Sequence, residues 1–178
     1  MSAENKAEYL LPNLQAVNIN DNCRVQLTKA GLAQYREEYA QYGIESPELD
    51  ITEDGARFQL WQLMHTFGPL LYNGSTRLPF NGNTLSIERD RVQTHPEGEK
   101  RTVNINDSVY VFITPEGKRM YNEAYRQQAP RLKTVGALTE IQLHEVANIF
   151  GPSLYNGSTS LPIDTTLYLR PASTPKAK

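Results

Sequence analysis

Two loops with the same set of hydrogen-bonding side chains are the best candidates for chemistry in this sequence. They contain Tyr72, Asn73, Ser75, Thr76 and Arg77 in the first loop, and Tyr155, Asn156, Ser158 and Thr159 in the second. A tyrosine ring can stack on a flat ligand, while amide and hydroxyl groups donate and accept hydrogen bonds. The backbone amides beside the loop glycines could also cradle an anion. We therefore predict two binding sites for a small polar ligand.

The same loop residues are also typical of a tight turn that has no ligand. An Asn-Gly pair favours a turn, and Ser or Thr side chains beside it can satisfy the backbone. In this interpretation Leu71, Leu78 and Pro79 anchor the turn to the core. A turn alone does not require Ser and Thr to recur in both loops, so the sequence leaves both interpretations open.

An aromatic stripe forms a second candidate site, this one for a protein partner. Tyr35, Tyr39 and Tyr42 recur at helical spacing, and tyrosine is enriched at protein interfaces. Trp61, the only tryptophan, is the other residue that we assign to this surface. The alternative is that the tyrosines pack between helices. Trp61 is then either a core residue or one wall of a groove that His144 closes at the matching position.

Catalytic and metal chemistry find little support, and we predict no enzyme activity, no cofactor and no metal. His65 and His144 do not occupy matching positions, and no Asp or Ser partner recurs beside them, so no nucleophile–base pair is indicated. The single cysteine, Cys23, lies on the apolar face of a predicted strand and is expected to be buried. One cysteine and three histidines argue against a structural zinc site. The sequence contains neither a Walker motif nor a dinucleotide-binding fingerprint.

The elements that must position these residues occur twice. The pentapeptide Val-Asn-Ile-Asn-Asp stands at 17–21 and again at 103–107. Further on, the block at 68–79 differs from the block at 151–162 in only two positions. Because two such blocks recur in the same order, we interpret the chain as a tandem duplication.

The duplication divides the chain into two similar segments. The first segment covers 16–89 and the second covers 102–170. Between them, 90–101 is polar, carries mixed charge and is predicted to be a linker. The residues 1–15 form an N-terminal extension, and the tail at 171–178 is predicted to be disordered.

Each segment is predicted to fold as a strand, two helices and a last strand. The first strand of the second segment, at 109–113, is apolar on both faces because it carries Tyr110 and Phe112. We therefore expect the N-terminal extension, with Leu10 and Leu11, to cover the second face. The corresponding strand of the first segment alternates apolar and polar residues, as a half-buried strand does.

The first helix of each segment has a clear start. Thr28 and Thr114 are predicted N-caps, because a hydroxyl can accept a hydrogen bond from a free amide of the first turn. Gly31 and Gly117 follow within that turn, where a glycine costs about 1 kcal/mol relative to alanine. Their recurrence predicts that something approaches the backbone closely there, either an anion at the helix start or a packed neighbour.

The second helix of each segment is predicted from an apolar stripe. In the first segment a polar loop at 45–55 leads to this stripe, which consists of Leu60, Leu63, Met64 and Phe67. In the second segment Thr139 and Gln142 have the spacing of a capping box and predict the helix start. Gly68 and Gly151 are predicted to end the two helices.

These patterns indicate an α+β fold of two strand-helix-helix-strand units. A unit of this size buries too little surface to be stable by itself. We therefore predict that the two segments pack as a pseudo-two-fold dimer within one chain, like a homodimer whose subunits have been fused.

The order of these motifs resembles a group of short, uncharacterised phage and prophage proteins, each about as long as one segment. The resemblance rests on the pentapeptide at 17–21, Leu27, Thr28, Gly31, Tyr35, 58–64, Phe67, Gly68 and 71–74. The second segment departs from the pattern where His144 replaces Trp61 and Ala147 replaces Met64. The resemblance covers most of the chain. It implies a small accessory protein made in an infected bacterium, of a kind that often acts against host defences.

Length and charge exclude other classes of function. The chain has 178 residues and a formal net charge of −2, which argues against a nucleic-acid binder that works through a basic surface. No apolar run approaches the ~20 residues of a membrane helix, and the N-terminus lacks the pattern of an export signal. We therefore expect a protein of the bacterial cytoplasm with no membrane partner.

The sequence as a whole favours a non-enzymatic accessory protein that binds a small polar ligand. In its most specific form, that ligand is a nucleotide-type immune signal of the host. One alternative is a protein-binding inhibitor of a host effector, which would use Trp61 and the tyrosine stripe. Another is a minor structural or assembly protein. Further oligomerisation of the chain is left open.

Overall fold

The computed structural model describes residues 14–72, 74–88, 101–126, 130–155 and 157–170. In this part of the chain, two antiparallel sheets of five strands combine with α-helices, so the predicted α+β class is confirmed. The predicted tail, most of the predicted linker and most of the N-terminal extension lie outside the described residues.

The described elements alternate between short strands and short helices. The strands are β1 Gln15–Asn18, β2 Asn22–Val25, β3 Ile51–Thr52, β4 Gly55–Gln59, β5 Thr84–Glu88, β6 Arg101–Asn104, β7 Ser108–Ile113, β8 Lys133–Val135, β9 Leu138–Gln142 and β10 Ile163–Leu169. The α-helices are α1 Lys29–Ala40, α2 Leu60–Phe67, α3 Pro115–Ala124 and α4 Leu143–Glu145. A π-helical turn, Val146–Phe150, continues α4, and 3₁₀ turns follow at Gly68–Leu70, Asn81–Asn83 and Gly151–Ser153.

Each sheet takes one edge strand from the other segment. The two sheets have the orders β1-β10-β7-β9-β8 and β6-β5-β2-β4-β3. β1 begins the first segment but pairs antiparallel with β10, with Val17 opposite Leu167. β6 begins the second segment but pairs antiparallel with β5, with Val103 opposite Leu85. The strand that starts a segment is therefore hydrogen-bonded to the strand that ends the other one.

The predicted order of strand, helix, helix and strand omits three strands in each segment. β1 and β6 contain the first residues of the repeated pentapeptides, and the hairpins β3–β4 and β8–β9 precede the second helices. The prediction of a polar loop is therefore wrong for Ile51 and Thr52, which form β3. This hairpin is hard to recognise because β3 has two exposed residues and β4 runs directly into α2.

The predicted capping box at Thr139 is also wrong, because Thr139 is buried within β9. The helix begins after β9, and there Gln142 and Glu145 form the capping box. Gln59 and Gln62 make the same arrangement at the start of α2. Thr139 with Gln142 and Gln142 with Glu145 both have the spacing of a capping box. Because Thr139 pairs with Val111 of β7, only the second pair can start the helix.

The predicted N-caps of the first helices are confirmed. The hydroxyl of Thr28 accepts a hydrogen bond from the Gly31 amide at 3.1 Å, and Thr114 accepts one from Gly117 at the same distance. These bonds satisfy one of the free amides at the start of α1 and of α3.

The neighbour that approaches the glycines of these helices is the chain itself. A Cβ added at Gly31 would lie 2.0 Å from the carbonyl oxygen of Pro79, and one added at Gly117 would lie 2.0 Å from that of Pro162. A backbone carbonyl therefore packs on each helix start. Of the two predicted explanations, the packed neighbour is the one present, and the anion site at the helix start has no support.

The apolar strand β7 matches the expectation at one of its two positions. Tyr110 is fully buried and packs in a cluster with Leu14, which belongs to the predicted N-terminal extension. Phe112 is 38% exposed, so the prediction that both rings are covered is wrong for Phe112. Leu10 and Leu11 lie outside the described residues.

One continuous apolar cluster contains residues of both sheets and of the second helices. The predicted stripe of α2 is confirmed, since its four members are buried. Phe67 and Phe150, at matching positions near the helix ends, are fully buried as well. Because these helices are densely packed in the core, they give the loops that follow them a firm starting point.

Candidate functional site

Two small pockets with matching walls lie beside the two loops predicted to bind a ligand. We name them the His144 pocket and the Trp61 pocket, after a residue that differs between them. The His144 pocket, of about 180 Å³, is lined by Leu71, Tyr72, Gly74, Ser75, Leu78, Asn83, Ile105, Asn106 and His144. The Trp61 pocket, of about 150 Å³, is lined by Ile19, Asn20, Trp61, Leu154, Tyr155, Gly157, Ser158, Leu161 and Thr165.

Each pocket is built from both segments. In the His144 pocket the loop belongs to the first segment, whereas Asn106 and His144 come from the second. In the Trp61 pocket the loop belongs to the second segment, and Asn20 and Trp61 come from the first. The pairing of β1 with β10 and of β6 with β5 places the pentapeptide of one segment beside the last strand of the other.

The repeated pentapeptide positions one wall of each pocket. Its first asparagine and its aspartate close a turn, in which the Asn18 amide donates to the Asp21 carboxylate at 2.8 Å. The carbonyl oxygen of Ile19 then accepts from the amide of Trp61 at 2.7 Å, and that of Ile105 accepts from His144 at 2.7 Å. The turn therefore fixes the start of the second helix and the side chain that it presents to the pocket.

Two residues that line the His144 pocket, Asn83 and His144, each carry a buried polar atom that needs a partner. Within the described part of the chain, neither Asn83 Oδ1 nor His144 Nδ1 has a hydrogen-bond partner. A buried polar atom without a partner costs about 1–3 kcal/mol, so each of these two atoms would gain from a bound water molecule or from a polar group of a ligand. Asn83 Oδ1 can only accept a hydrogen bond, whereas His144 Nδ1 can donate or accept according to its tautomer.

The structure places some of the predicted ligand residues in these pockets and leaves others outside. Tyr72 and Ser75 line the His144 pocket, and Tyr155 and Ser158 line the Trp61 pocket. Three of the predicted ligand residues are exposed but line neither pocket, namely Thr76, Arg77 and Thr159. The predicted residues that lie outside the described part of the chain are Asn73 and Asn156.

The loops themselves use part of their polar groups to close a turn. The amide of Ser75 donates to the carbonyl of Tyr72 at 3.0 Å, and the Arg77 amide donates to the Ser75 hydroxyl at 3.3 Å. The amide of Ser158 donates to Tyr155 in the same way. These amides are therefore not available for the predicted anion cradle, and the turn interpretation accounts for this part of the loop.

Sequence reasoning missed three of the polar residues in these walls. Asn83 stood in an unassigned stretch, and Asn20 and Asn106 were noticed only as members of the repeat. The recurrence of Asn20 and Asn106 in the two pentapeptides was a signal for a polar wall, because asparagine is unfavourable in strands and has no reason to recur in one. The sequence patterns do not indicate His144 as a ligand residue either.

A larger cleft, of about 630 Å³, lies between α1, the loop at 44–50 and α2. Tyr39, Tyr42 and Trp61 line it, and Tyr155 reaches it from the second segment. The two sites predicted separately therefore meet, since Trp61 and Tyr155 line both this cleft and the Trp61 pocket.

The tyrosine stripe does not form one exposed surface. Tyr35 is buried, and its hydroxyl donates to the Pro47 carbonyl at 3.1 Å, so it holds the 44–50 loop against α1 instead of meeting a partner. Burial raises the pKa of this phenol to about 12. Tyr39 is half-buried, and Tyr42, which lies beyond the last residue of α1, is 66% exposed. The predicted role of Tyr35 as a partner contact is therefore replaced by core packing.

Charged groups of both signs surround the large cleft. Glu38 lies 3.3 Å from His65, and Arg57 lies 3.2 Å from Glu88. Asp50 forms an ion pair with Arg24 at 3.2 Å. The carboxylate of Glu48 also lines the cleft, and within the described residues it has no ion-pair partner.

The described residues show no arrangement that suggests catalysis. Cys23 is fully buried, and burial raises the pKa of its thiol, which makes it a poor nucleophile. The ring of His65 lies between the Glu38 carboxylate and the carbonyl oxygen of Gly151, 3.2 Å from Nδ1, and contacts no hydroxyl or thiol there. Across the part of the chain that the structure describes, no three His, Cys, Asp or Glu side chains could together hold a metal ion.

Comparison with known proteins gives no relative for this chain. The chain matches no family model, no curated protein and no solved structure. The resemblance to short phage proteins therefore stays a prediction. None of the described helices has the length and apolar character needed to cross a bilayer.

Proposed function

We propose that this chain is a non-enzymatic binding protein for a small polar ligand, which it holds in the His144 pocket and the Trp61 pocket. The observation that carries the proposal is the pair of unpartnered buried atoms, Asn83 Oδ1 and His144 Nδ1, on two residues that line one small cavity. Asn83 Oδ1 needs a donor, and His144 Nδ1 needs an acceptor when it carries the proton, so a group that both donates and accepts a hydrogen bond would satisfy the two atoms together. A carboxamide or the edge of a nucleobase has this property.

The size of the pockets restricts what can enter them. Sites that enclose a drug-sized molecule have about 300–1,000 Å³, whereas these pockets have about 180 and 150 Å³. Each pocket therefore takes one ring or one amide group of a ligand. A nucleotide immune signal, the specific form of the function, would insert its base and leave its phosphates outside. Tyr72 and Tyr155, which are 54% and 57% exposed, can stack on the part that remains at the mouth.

We propose that a tandem duplication gave rise to the two pockets. It is supported by the same strand order in both sheets and by the matching walls of the two pockets. In this interpretation the two segments form a pseudo-two-fold dimer that has exchanged its first strands. One chain would then bind two ligands, or two chemically similar ends of one ligand.

The biological setting that we propose is a phage accessory protein in the infected bacterium, where sequestering a host signal would counter a defence. A second candidate function is the inhibition of a host effector by direct contact. It is favoured by three exposed apolar side chains close together in sequence, Tyr42, Ile44 and Ile51.

Native mass spectrometry of the full chain tests the binding function. The probes are nicotinamide, adenosine, AMP and ADP-ribose, added one at a time. We expect at least one of them to give mass increments of one and two ligands per chain. His144→Leu fills the pocket with an apolar group and should remove one of these increments, because the ligand loses a hydrogen-bond partner.

Thr76→Ala is the matched control, since Thr76 lies in the same loop but does not line the pocket. The control should bind as the unchanged protein does. If none of the four probes binds, or if His144→Leu and Thr76→Ala bind equally, the pockets are not ligand sites. A protein complex recovered with a host effector in the absence of probe binding would then favour the second candidate function.

A further inference from the structure

We propose that the large cleft between α1, the 44–50 loop and α2 is a separate binding site for an organic cation, an alkylammonium or guanidinium group. This site goes beyond the proposed function, because the two small pockets favour a neutral polar group. It rests on the aromatic lining of the cleft, on its charge and on its volume.

Aromatic rings form much of the cleft wall. Tyr39 and Trp61 lie on it from α1 and α2, Tyr42 lies on its rim, and Tyr155 reaches it from the second segment. The faces of such rings carry a partial negative charge and attract cations within about 6 Å of the ring centre. Tryptophan is the strongest of these rings in cation binding.

The charges around the cleft have the sign that a cation requires. The carboxylates of Glu38, Glu48 and Asp50 line it, against the cationic groups of Arg57 and His65. Arg57 is already compensated by Glu88 at 3.2 Å. Behind the wall, Arg24 lies between Asp50 and Glu88.

The net charge of this neighbourhood is therefore negative even when His65 is protonated. Glu48 is the carboxylate without an ion-pair partner among the described residues. An inorganic anion such as sulfate would be repelled there, whereas an ammonium group would gain a partner at Glu48.

The volume of the cleft limits what can bind in it. About 630 Å³ is enough for a whole small molecule or for a long side chain. At the matching place in the second segment, the hydroxyl of Tyr125 donates to Glu145, so that tyrosine and that carboxylate are engaged with each other. We therefore expect one cation per chain, in contrast to the two ligands of the small pockets.

Fluorescence of Trp61 is a direct test, because it is the only tryptophan in the sequence. The full chain is titrated with spermidine, choline, and a Gly-Lys-Gly peptide blocked at both ends, with inorganic sulfate as the anionic comparison. We expect a saturable change with at least one of the three cations, with a stoichiometry of one, and weaker binding at high salt. Binding of spermidine or choline without the peptide would identify a free amine as the ligand source. Binding of the peptide alone would identify a lysine side chain of a partner.

Two variants with the same change of charge separate the cleft from the rest of the surface. Glu48→Gln should weaken cation binding by about threefold or more, because it removes the unpaired carboxylate. Glu53→Gln removes an exposed carboxylate that does not line the cleft and should leave binding unchanged. Tyr42→Ala should also weaken binding, and because Tyr42 is exposed this variant keeps the fold.

Three results would overturn the cation site. They are no saturable change with any cation, equal affinity in the Glu48→Gln and Glu53→Gln variants, and binding of sulfate that Glu48→Gln strengthens without any cation binding. These outcomes are independent of the small pockets, since Glu48 does not line either of them. Loss of probe binding in His144→Leu with cation binding intact would show that the two sites are separate.

Discussion

Gly68 lies directly against the backbone of Ala147. A Cβ at Gly68 would be 2.1 Å from the carbonyl oxygen of Ala147, and Gly151 stands in the matching relation to Met64 at 2.2 Å. The Asn148 side chain donates to the Gly68 carbonyl at 3.0 Å across the same contact. The ends of the two second helices therefore meet backbone to backbone, which joins the two segments.

This contact predicts that Gly68→Ala and Gly151→Ala are strongly destabilising. Each added methyl group would overlap a backbone carbonyl, and overpacking of this kind costs about 1–3 kcal/mol or more. Gly74→Ala is the matched control, because its Cβ would meet no atom and only its positive φ would cost about 1 kcal/mol. Urea unfolding measures the difference. Equal losses at the three positions would show that the helices do not approach this closely.

The exchange of first strands predicts which cysteine pair forms a disulfide. In a Cys23→Val background, Ala16→Cys with Tyr168→Cys should cross-link within one chain, because these residues are opposite each other in β1 and β10. Ala16→Cys with Ser86→Cys is the control, since Ser86 holds the matching position in β5. Peptide mapping under non-reducing conditions detects the bond. A cross-link to position 86 instead would mean that β1 stays with its own segment.

Much of the local structure could be predicted from the sequence, because its causes are local. Thr28 and Thr114 cap the helices that their hydroxyls predict, and the stripe of α2 is buried as its spacing indicates. Gly31 and Gly117 show what such local reasoning leaves out, namely the identity of a distant neighbour. Their recurrence indicated a close approach, but not that a carbonyl of the same chain makes it.

The partner of β1 could not be predicted, because the two segments have nearly the same sequence there. The pentapeptides at 17–21 and 103–107 are identical, so local preferences cannot decide whether a strand pairs with its own segment or with the other one. The candidate sites depend on that choice. Trp61 and Tyr155 stand far apart in sequence, yet both line one cleft, so their proximity depends on how the two segments pack.

Burial of the single cysteine predicts protection from thiol reagents. Cys23 is fully buried, and desolvation raises the pKa of its thiol, so both access and the thiolate population are reduced. We expect no reaction with iodoacetamide at pH 8 in the folded protein and rapid reaction in urea. Mass spectrometry follows the adduct. Rapid reaction without denaturant would show that β2 is accessible and would contradict the described packing.

The buried tyrosines predict that stability falls at alkaline pH. Burial raises the pKa of Tyr35 to about 12 and also raises the pKa values of Tyr121 and Tyr125. The unfolded chain releases these protons near pH 10, before the folded chain does, so stability present below pH 10 is lost as pH rises further. Urea unfolding at pH 8 and at pH 11 measures the loss, and Tyr35→Phe should reduce it. Tyr42→Phe is the exposed control, and equal effects of the two variants would contradict this origin of the loss.

The most direct test of the binding function is a crystal structure of the full chain, grown with the probe that gives the largest mass increment. We expect one ligand group in the His144 pocket within hydrogen-bond distance of both Asn83 Oδ1 and His144 Nδ1. The ring of Tyr72 should cover the part of the ligand at the pocket mouth. If only water molecules satisfy these two atoms while the probe lies elsewhere, the pocket is a structural water site and the proposed function is wrong.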